Sequence, residues 1–479
     1  MTATQQPAYR LSDWAEGYTT LAKEYDYAID EIEGCIPAEL QGTLFRNGPG
    51  RFDRGGISYK HPFDGDGMIC AIRFENGKAH FRNRFVRSEG FVEEEKADRI
   101  LKKNVFATLR PGGFLNNIFD FSFKNVANTN VMYWAGKLLA LWEPAPPHGL
   151  DPRTLETIGI DDLDGLLKGG LPFSAHPRRE SETGDWLTFG VRSGFQTDLS
   201  LYRLKPDGKI LVEGKHTIPG FAFLHDFAFS ENYWIFVQNP MALDPLPFVF
   251  GFKAAGECLR LAEGQPTRII LIGRHDGKVR TIETDPFFVF HHVNAFEEAG
   301  KLMIDSVRYP RYITTQEDRD FRETDFSQLD PGQLWRTEID LQTSRVETKQ
   351  LLSRTCEFPQ INPGVMGKPH RFVYLGATDR AEGNAPLQAI VKFDMSNRES
   401  VVRSFAPQGF VSEPVFVPHP NRTEEDAGWV LTMVYDASRR RTDVEILDGQ
   451  TLQRCARLSL KHHVPHGLHG SFVSEVFAS

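Results

Sequence analysis

The chain has 479 residues, of which 40% are hydrophobic and 25% are charged, and its formal net charge is -9 at pH 7. This composition predicts a globular protein with a sizeable core, and the negative charge argues against a nucleic-acid-binding function. The cysteines are scattered without a CxxC pair, which favours a reducing, cytoplasmic environment over a disulfide framework or a zinc site. The polar N-terminus predicts no signal peptide, and no apolar run is long enough to predict a transmembrane helix.

Short β-like segments follow one another from about residue 40 onward, separated by Gly, Pro, Asp and Asn. Helical patterns are sparse, and we expect short helices only at Asp13–Lys23 and Asp161–Lys168. The chain is therefore predicted to be all-β. The clearest strand predictions, each an apolar run after a turn signal, are Lys137–Trp142, Tyr233–Val237, Lys301–Asp305 and Trp429–Val434.

A polar turn built around an Asp recurs between these segments, and it resembles the outer hairpin of a propeller blade. A closed ring of sheets also explains how so long an all-β chain avoids a domain break. We predict one propeller domain over 1–479, with the segment 1–35 packing on it. The alternative is a pair of β-sandwiches, which is less favoured because no linker rich in Pro, Gly or Ser divides the chain. The turns are Asp151–Thr157, Pro206–Ile210, Asp340–Glu347, Asp394–Val402 and Asp448–Leu452.

Phe is unusually abundant, with 37 Phe against 12 Tyr and 7 Trp. Because Phe has no polar group, this excess suits an apolar core, an apolar ligand tunnel or a membrane-facing patch. Two stretches, 104–123 and 239–259, concentrate apolar residues but are too short to span a bilayer. They could form a surface that dips into a membrane, or they could cover the core, and the residues alone leave both readings open.

The stretch Phe287–Glu298 places two adjacent histidines after a run of apolar residues, as in a strand that enters a buried place. Successive side chains of a strand point to opposite faces, so His291 and His292 must differ in their surroundings. A buried histidine needs a hydrogen-bond partner or a metal. For a lone histidine in such a place, a satisfied core residue is the commoner outcome.

Three further histidines, His176, His225 and His469, also follow apolar or small residues beside strand-like segments. They lie far apart in sequence, and no helical or hairpin motif links them to one another or to His291. A metal site made from these residues would have to be assembled from separate blades around the propeller axis.

Several long motifs occur in this order along the chain: Phe45–Gly50, His61–Met68, Ala127–Asn130, Phe221–Asp226, Phe290–Glu298 and Leu468–Gly470. They are similar to those of the carotenoid cleavage oxygenase family, and within it the chain resembles the cyanobacterial apocarotenoid oxygenases. The resemblance extends from roughly residue 10 to the C-terminus. It implies a seven-bladed β-propeller, with loops and short helices forming a dome over a ferrous ion on the axis.

The same resemblance implies the residues of the site. Four histidines hold the iron without a carboxylate ligand, and three carboxylates hold ligand imidazoles. In the adjacent pair the family pattern selects the histidine three residues before Asn294, which is His291. The implied metal ligands are His176, His225, His291 and His469, and the implied carboxylates are Glu143, Glu357 and Glu413. Which histidine each carboxylate holds is not readable from the sequence.

The implied activity is an Fe²⁺-dependent dioxygenase that uses O2 to cleave a C=C bond of an apocarotenoid, at C15–C15′, giving retinal-type aldehydes. Selectivity along a polyene must come from how far it slides into an apolar tunnel, and Trp142, Phe290 and Phe358 are the expected wall residues. Peripheral membrane contact through 104–123 and 239–259 would admit such a substrate. The alternatives are a stilbene-cleaving dioxygenase on the same iron site, a polyene isomerase, and a non-enzymatic propeller that binds a partner.

Overall fold

A computed structural model describes residues 9–312 and 319–477 of the chain. The described residues are mostly strands, with few and short helices. The α-helices are α1 (Leu11–Glu16), α2 (Glu89–Ala97) and α3 (Pro245–Val249), and single 3-10 turns lie at Pro62–Asp64, Phe114–Asn116, Gly256–Cys258, Phe321–Glu323, Phe326–Gln328 and Pro363–Val365.

The strands are short and numerous along the whole described chain. The N-terminal half contains β1 (Asp26–Ile29), β2 (Ile32–Gly34), β3 (Gly42–Arg51), β4 (Asp53–Arg54), β5 (Ile57–Ser58), β6 (Asp66–Glu75), β7 (Lys78–Phe85), β8 (Asn130–Trp134), β9 (Lys137–Leu141), β10 (His148–Leu150), β11 (Thr157–Ile160), β12 (Arg178–Arg179), β13 (Trp186–Arg192), β14 (Gln196–Leu204), β15 (Ile210–Pro219), β16 (Ala228–Phe229), β17 (Tyr233–Gln238) and β18 (Met241–Leu243). The C-terminal half contains β19 (Leu259–Leu261), β20 (Thr267–Gly273), β21 (Val279–Thr284), β22 (Phe288–Glu298), β23 (Lys301–Tyr309), β24 (Gln333–Asp340), β25 (Val346–Leu352), β26 (Cys356–Gln360), β27 (Phe372–Ala377), β28 (Ala389–Asp394), β29 (Ser400–Ser404), β30 (Gly409–Val411), β31 (Val415–Pro418), β32 (Gly428–Asp436), β33 (Arg441–Asp448), β34 (Arg454–Ser459) and β35 (Gly470–Val473).

The larger sheets are the blades of a seven-bladed propeller, which confirms the predicted fold class. Five blades are β8-β9-β10-β11, β12-β13-β14-β15, β16-β17-β20-β21, β22-β23-β24-β25 and β26-β27-β28-β29. Contacts between β16 and β22, β22 and β26, β31 and β35, and β35 and β8 join inner strands of neighbouring blades around the axis. A residue at the start of such a strand is therefore placed at the centre of the ring.

The remaining two blades combine strands from both ends of the chain. In one, the order is β35-β3-β6-β7-β1, so that the last described strand pairs with one of the first. In the other, β2 pairs with β34 at the outer edge of the sheet. This mixing closes the ring, because neither of these blades is complete without both ends of the chain.

Apolar clusters fill the spaces between blades. Phe45 and Ile69 of one blade pack with Val131 and Leu138 of the next, and all four are buried. Strands buried on both faces read as nearly continuous apolar runs, which is why the strand predictions from such runs are confirmed. Assignment of 1–479 to one domain, with 1–35 packing on it, stays a prediction.

The Asp-centred turns lie where they were predicted, at the outer hairpins of blades. Asp340 at the end of β24 accepts hydrogen bonds through Oδ1 from the backbone N–H groups of Gln342 (3.0 Å) and Thr343 (2.7 Å). Asp448 at the end of β33 binds Gln450 and Thr451 in the same way. The short acidic side chain accepts hydrogen bonds from backbone amides that have no partner in the strand ladder. The turn can therefore be recognised from the Asp in the sequence.

The helix predictions are only partly correct. The N-terminal helix exists but ends at Glu16. The prediction of a helix at Asp161–Lys168 is wrong: Leu163 and Asp164 have φ of 50° and 56°, and Gly165 has φ of 89°. Successive left-handed residues are incompatible with an α-helix. None of the described helices is long and apolar enough to cross a membrane.

Candidate metal centre

The four predicted histidines come together on the propeller axis. His176, His225 and His469 lie just before β12, β16 and β35, and His291 lies within β22, so each comes from the inner strand region of a different blade. Their ligand atoms all lie within 4.8 Å of one another. Nε2 of His225 is 3.0 Å from Nε2 of His176 and 3.2 Å from Nε2 of His291.

Each of the three predicted carboxylates contacts the other ring nitrogen of one of these histidines. Glu357 Oε2 lies 2.6 Å from Nδ1 of His291, and Glu413 Oε1 lies 2.9 Å from Nδ1 of His469. The Glu143 carboxylate contacts Nδ1 of His225. These contacts place the proton on Nδ1 and leave the Nε2 lone pair free to face the centre of the cluster. The structure thereby pairs each Glu with its His.

His176 differs from the other three. In the described ranges, no carboxylate lies within salt-bridge distance of its ring, and its backbone N–H donates to Ser174 Oγ at 3.0 Å. Burial and the other three histidines lower the pKa of His176 well below its usual value. The imidazole is therefore neutral near pH 7, as a metal ligand must be.

Two of the carboxylates have further partners, which the sequence did not predict. The Tyr309 hydroxyl donates to Glu357 Oε1 at 2.8 Å. Glu413 accepts hydrogen bonds from Arg46 (2.8 Å) and Gln360 (3.0 Å). Arg46 lies in the Phe45–Gly50 motif, so that motif could have pointed to it. Tyr309 is the last residue of β23, and no local sequence pattern marks it as a partner of Glu357.

Electrostatics favour carboxylates that remain ionised at the centre. Burial alone would raise the pKa of Glu357, but the neighbouring His291 outweighs it and the pKa is lowered. Burial likewise opposes ionisation of Glu413, and His469 and Arg46 lower its pKa. For His291 burial lowers the pKa, and the Glu357 carboxylate reverses that effect and raises it. Glu357 and Glu413 are thus held as hydrogen-bond acceptors for His291 and His469.

The adjacent histidines separate as expected, with His291 in the cluster and His292 outside it. His292 Nδ1 lies 2.7 Å from Ser306 Oγ. Side chains do not alternate strictly between the two faces of β22 near this pair, because the strand carries register shifts between Val289 and Asn294. As a result Phe290 and His291 line the same cavity although they are neighbours in a strand.

A cavity of about 450 Å³, which we call the tunnel, adjoins the cluster. The three residues predicted as tunnel wall, Trp142, Phe290 and Phe358, all lie in its lining, beside His225, His291 and His469. Phe358 packs against His291 with ring centroids 5.8 Å apart. Its φ of 54° is unusual for an aromatic residue, and such strain is commonly found at functional sites.

The two Phe-rich stretches lie together on the surface and form an apolar patch. Phe114 stacks on Phe252 with ring centroids 5.2 Å apart, and Phe119 contacts Phe250 at 6.1 Å. Members of both stretches also line the tunnel, among them Phe106 and Leu259. The patch consists of Phe114, Leu115, Phe119, Phe121, Leu246, Phe250 and Phe252, with side chains 43–71% exposed.

The donor set fits a divalent transition metal. Four imidazoles converge, three of them with the proton held on Nδ1, and neither thiolate nor carboxylate belongs to the cluster that the described residues form. Imidazole ligands suit Fe, Cu, Ni and Zn, whereas Mg²⁺ and Ca²⁺ prefer oxygen.

A propeller that closes on a tetra-histidine cluster, beside an apolar tunnel, has the architecture of a metal-binding enzyme. Residues 18–474 match the family model described as retinal pigment epithelial membrane protein, RPE65. The chain is 48% identical to apocarotenoid-15,15′-oxygenase of Synechocystis sp., over 98% of this chain and 97% of that protein. It is 30% identical to resveratrol cleavage oxygenase 1 of Aspergillus fumigatus, over 94% and 93% of the two chains.

The solved structures agree with this. The crystal structure of cobalt-substituted Synechocystis apocarotenoid oxygenase superposes with a TM-score of 0.96 at 47% identity, covering 98% of this chain and 100% of the other. The chain belongs to the RPE65 family of carotenoid oxygenases.

Replacing His291 and His292 separately by Ala tests the assignment within the pair. We expect His291→Ala to lose the metal, because it removes a ligand atom, while His292→Ala retains about one metal per chain. Metal analysis of the purified, metal-loaded variants measures this, with thermal unfolding as the check on folding. Equal metal loss in both folded variants would contradict the assignment.

Replacing Glu357 by Gln tests the role of the carboxylates. We expect about 10- to 100-fold weaker metal affinity, because the Nδ1 proton of His291 is no longer held by a charged acceptor. Tyr309→Phe, which removes only the partner hydroxyl, should cause a smaller loss in the same direction. Competition with a chelator measures both, and Glu347→Gln on exposed β25 is the matched control. Unchanged affinity in Glu357→Gln would refute the role.

Proposed function

We propose that the protein is an Fe²⁺-dependent dioxygenase that cleaves the C15–C15′ double bond of an apocarotenoid with O2 to give retinal-type aldehydes. The observation that carries the proposal is the opening of the tetra-histidine cluster onto an apolar tunnel. The identity to the Synechocystis apocarotenoid-15,15′-oxygenase supports the substrate and the position of cleavage.

His176, His225, His291 and His469 would hold the iron, which when bound supplies the activation of dioxygen. The chain itself orients both reactants. Glu143, Glu357 and Glu413 fix the directions of three imidazoles, and Trp142, Phe290 and Phe358 would place the polyene beside the centre. The reaction balances without a protein nucleophile, because both oxygen atoms of O2 end in the two carbonyl groups that replace the C=C bond.

A stilbene substrate is the second candidate, since the Aspergillus fumigatus relative is named for resveratrol cleavage. A stilbene phenol needs polar partners inside the tunnel. The tunnel lining contains neither Lys nor Arg among the described residues. The Tyr309 hydroxyl already donates to Glu357, and the Ser193 hydroxyl donates to the carbonyl of Ala222. Because these two hydroxyls already donate hydrogen bonds within the protein, the tunnel favours a polyene over a stilbene as the substrate.

The proposal includes a cytoplasmic location with peripheral membrane contact through 104–123 and 239–259. Exposed aromatic residues of both stretches form one patch, and residues of both stretches also line the tunnel. A lipid-soluble substrate could pass from a bilayer into the tunnel without crossing water.

Product identification tests the reaction. Protein loaded with Fe²⁺ and incubated with β-apo-8′-carotenal and O2 is expected to yield retinal and a shorter dialdehyde, as measured by chromatography and mass spectrometry. Resveratrol supplied in parallel should be cleaved at least about tenfold more slowly, because the described lining lacks Lys and Arg and its Tyr309 and Ser193 hydroxyls already donate within the protein. Faster cleavage of resveratrol would favour a stilbene-cleaving dioxygenase. A cis polyene formed without aldehydes would favour an isomerase. No turnover by the metal-loaded protein would favour a propeller that only binds a partner.

Vesicle binding tests the membrane contact. Combining Leu115→Ser, Phe119→Ser and Phe121→Ser should weaken co-sedimentation with phospholipid vesicles at least about tenfold, because each burial of such a side chain is worth about 1.5–3 kcal/mol. The control replaces Ile158 and Ile160 by Ser on the outer strand β11, where they are 78% and 65% exposed, at least as much as most of the patch. Equal binding by the two variants would contradict the proposal.

A further inference from the structure

The segment 104–108 belongs to no helix or strand. Its residues Val105 and Phe106 line the tunnel, and it precedes the first residues of the apolar patch in the chain. Backbone N–H groups in such a segment have no ladder partner, and each buried one needs another acceptor. What holds this turn in place therefore decides the shape of the entrance.

The acceptor is a single buried carboxylate. Asp64 Oδ1 accepts from the N–H of Phe106 at 3.0 Å, and Oδ2 accepts from those of Ala107 (3.0 Å) and Thr108 (2.8 Å). Asp64 is only 1% exposed. No Lys or Arg of the described chain forms an ion pair with Asp64, so its carboxylate is used for these amides.

Contacts from His61 and Gly256 also hold the 104–108 segment in place. His61 accepts from the N–H of Phe63 through Nδ1, and its ring stacks on Phe106 with centroids 4.7 Å apart. On the other side, the N–H of Gly256 donates to the carbonyl of Val105 at 2.8 Å. A Cβ at residue 256 would lie 2.9 Å from the Cα of Phe106, so the 239–259 stretch packs directly against the turn.

We propose that Asp64 is the positioning residue of the tunnel mouth: by binding the amides of residues 106–108 it sets the Phe106 ring as an entrance wall for an apolar polyene. Asp64 touches neither the polyene nor the metal centre and acts through Phe106. The proposal rests on the proposed function, because the entrance matters only if the tunnel takes such a ligand.

Burial also changes the protonation of Asp64. Burial raises its pKa to about 6, although the hydrogen bonds from Ala107, Thr108 and Phe106 oppose that shift. Because the buried carboxyl binds a proton more tightly than a solvated one, linkage holds the turn most firmly below about pH 6 and weakens it as the pH rises through that value. His61, the titratable neighbour on the same loop, stays neutral there because burial lowers its pKa to about 3.

Binding of all-trans-retinol, followed by its fluorescence in the metal-free protein, tests the positioning role apart from catalysis. Asp64→Asn turns an NH2 group toward backbone N–H donors, and we expect about tenfold weaker binding. The Phe106→Ala variant should bind about as weakly, and the double variant should be no weaker than either single one, because both changes act on the same wall. The control, Asp120→Asn, removes a carboxylate of the same stretch whose Oδ1 binds Ser122, and it should bind as tightly as the native chain.

Unchanged retinol binding in Asp64→Asn, or fully additive losses in the double variant, would overturn the proposal. Hydrogen exchange in the unaltered chain gives an answer even if Asp64→Asn does not fold. The amides of residues 106–108 should exchange much more slowly than unprotected amides at the same pH. Exchange as fast as at the exposed Gly112 and Gly113 would also overturn the proposal. If the native chain binds retinol but makes no aldehyde, the proposed function fails and the role of Asp64 stands.

Discussion

The metal centre depends on one repeated contact, a carboxylate held against Nδ1 of an imidazole. An imidazole that rotates or carries its proton on Nε2 cannot be a ligand, and a strand on the propeller axis does not by itself prevent either. Glu357 and Glu413 prevent both for His291 and His469, while Tyr309 and Arg46 fix those carboxylates in turn. The directions of the ligands are thus fixed by contacts that reach into the blades.

Local signals explain what could be predicted from the sequence. Apolar runs mark strands buried on both faces, and an Asp that binds its own following amides marks an outer turn, so the architecture is readable from short stretches. The helix predicted at Asp161–Lys168 is absent because apolar spacing says nothing about the left-handed residues Leu163 and Asp164. In β22, the register shifts bring Phe290 to the same cavity as His291, which alternation does not predict.

The residues of the candidate site could not be predicted from local patterns, since they are far apart in sequence. No spacing rule connects His176 with His469, and only the family motifs made these residues a set. The pairing of each Glu with its His needed the structure, as did the contact between Tyr309 and Glu357. Asp64 lies in the His61–Met68 motif, yet its partners lie about forty residues further on, in the long connection between α2 and β8, which has no periodic pattern.

Closure of the ring also determines when the site can exist during synthesis. β35 follows His469 directly and pairs with β3, and the hydrogen bond from Arg46 to the carbonyl of Leu468 spans 422 residues. On the ribosome, the first blades emerge long before the strand that completes them. The fourth imidazole arrives with that strand, so the complete set of four histidines cannot assemble until nearly the whole propeller has been translated. Until then, an emerging chain offers only three of the four imidazoles.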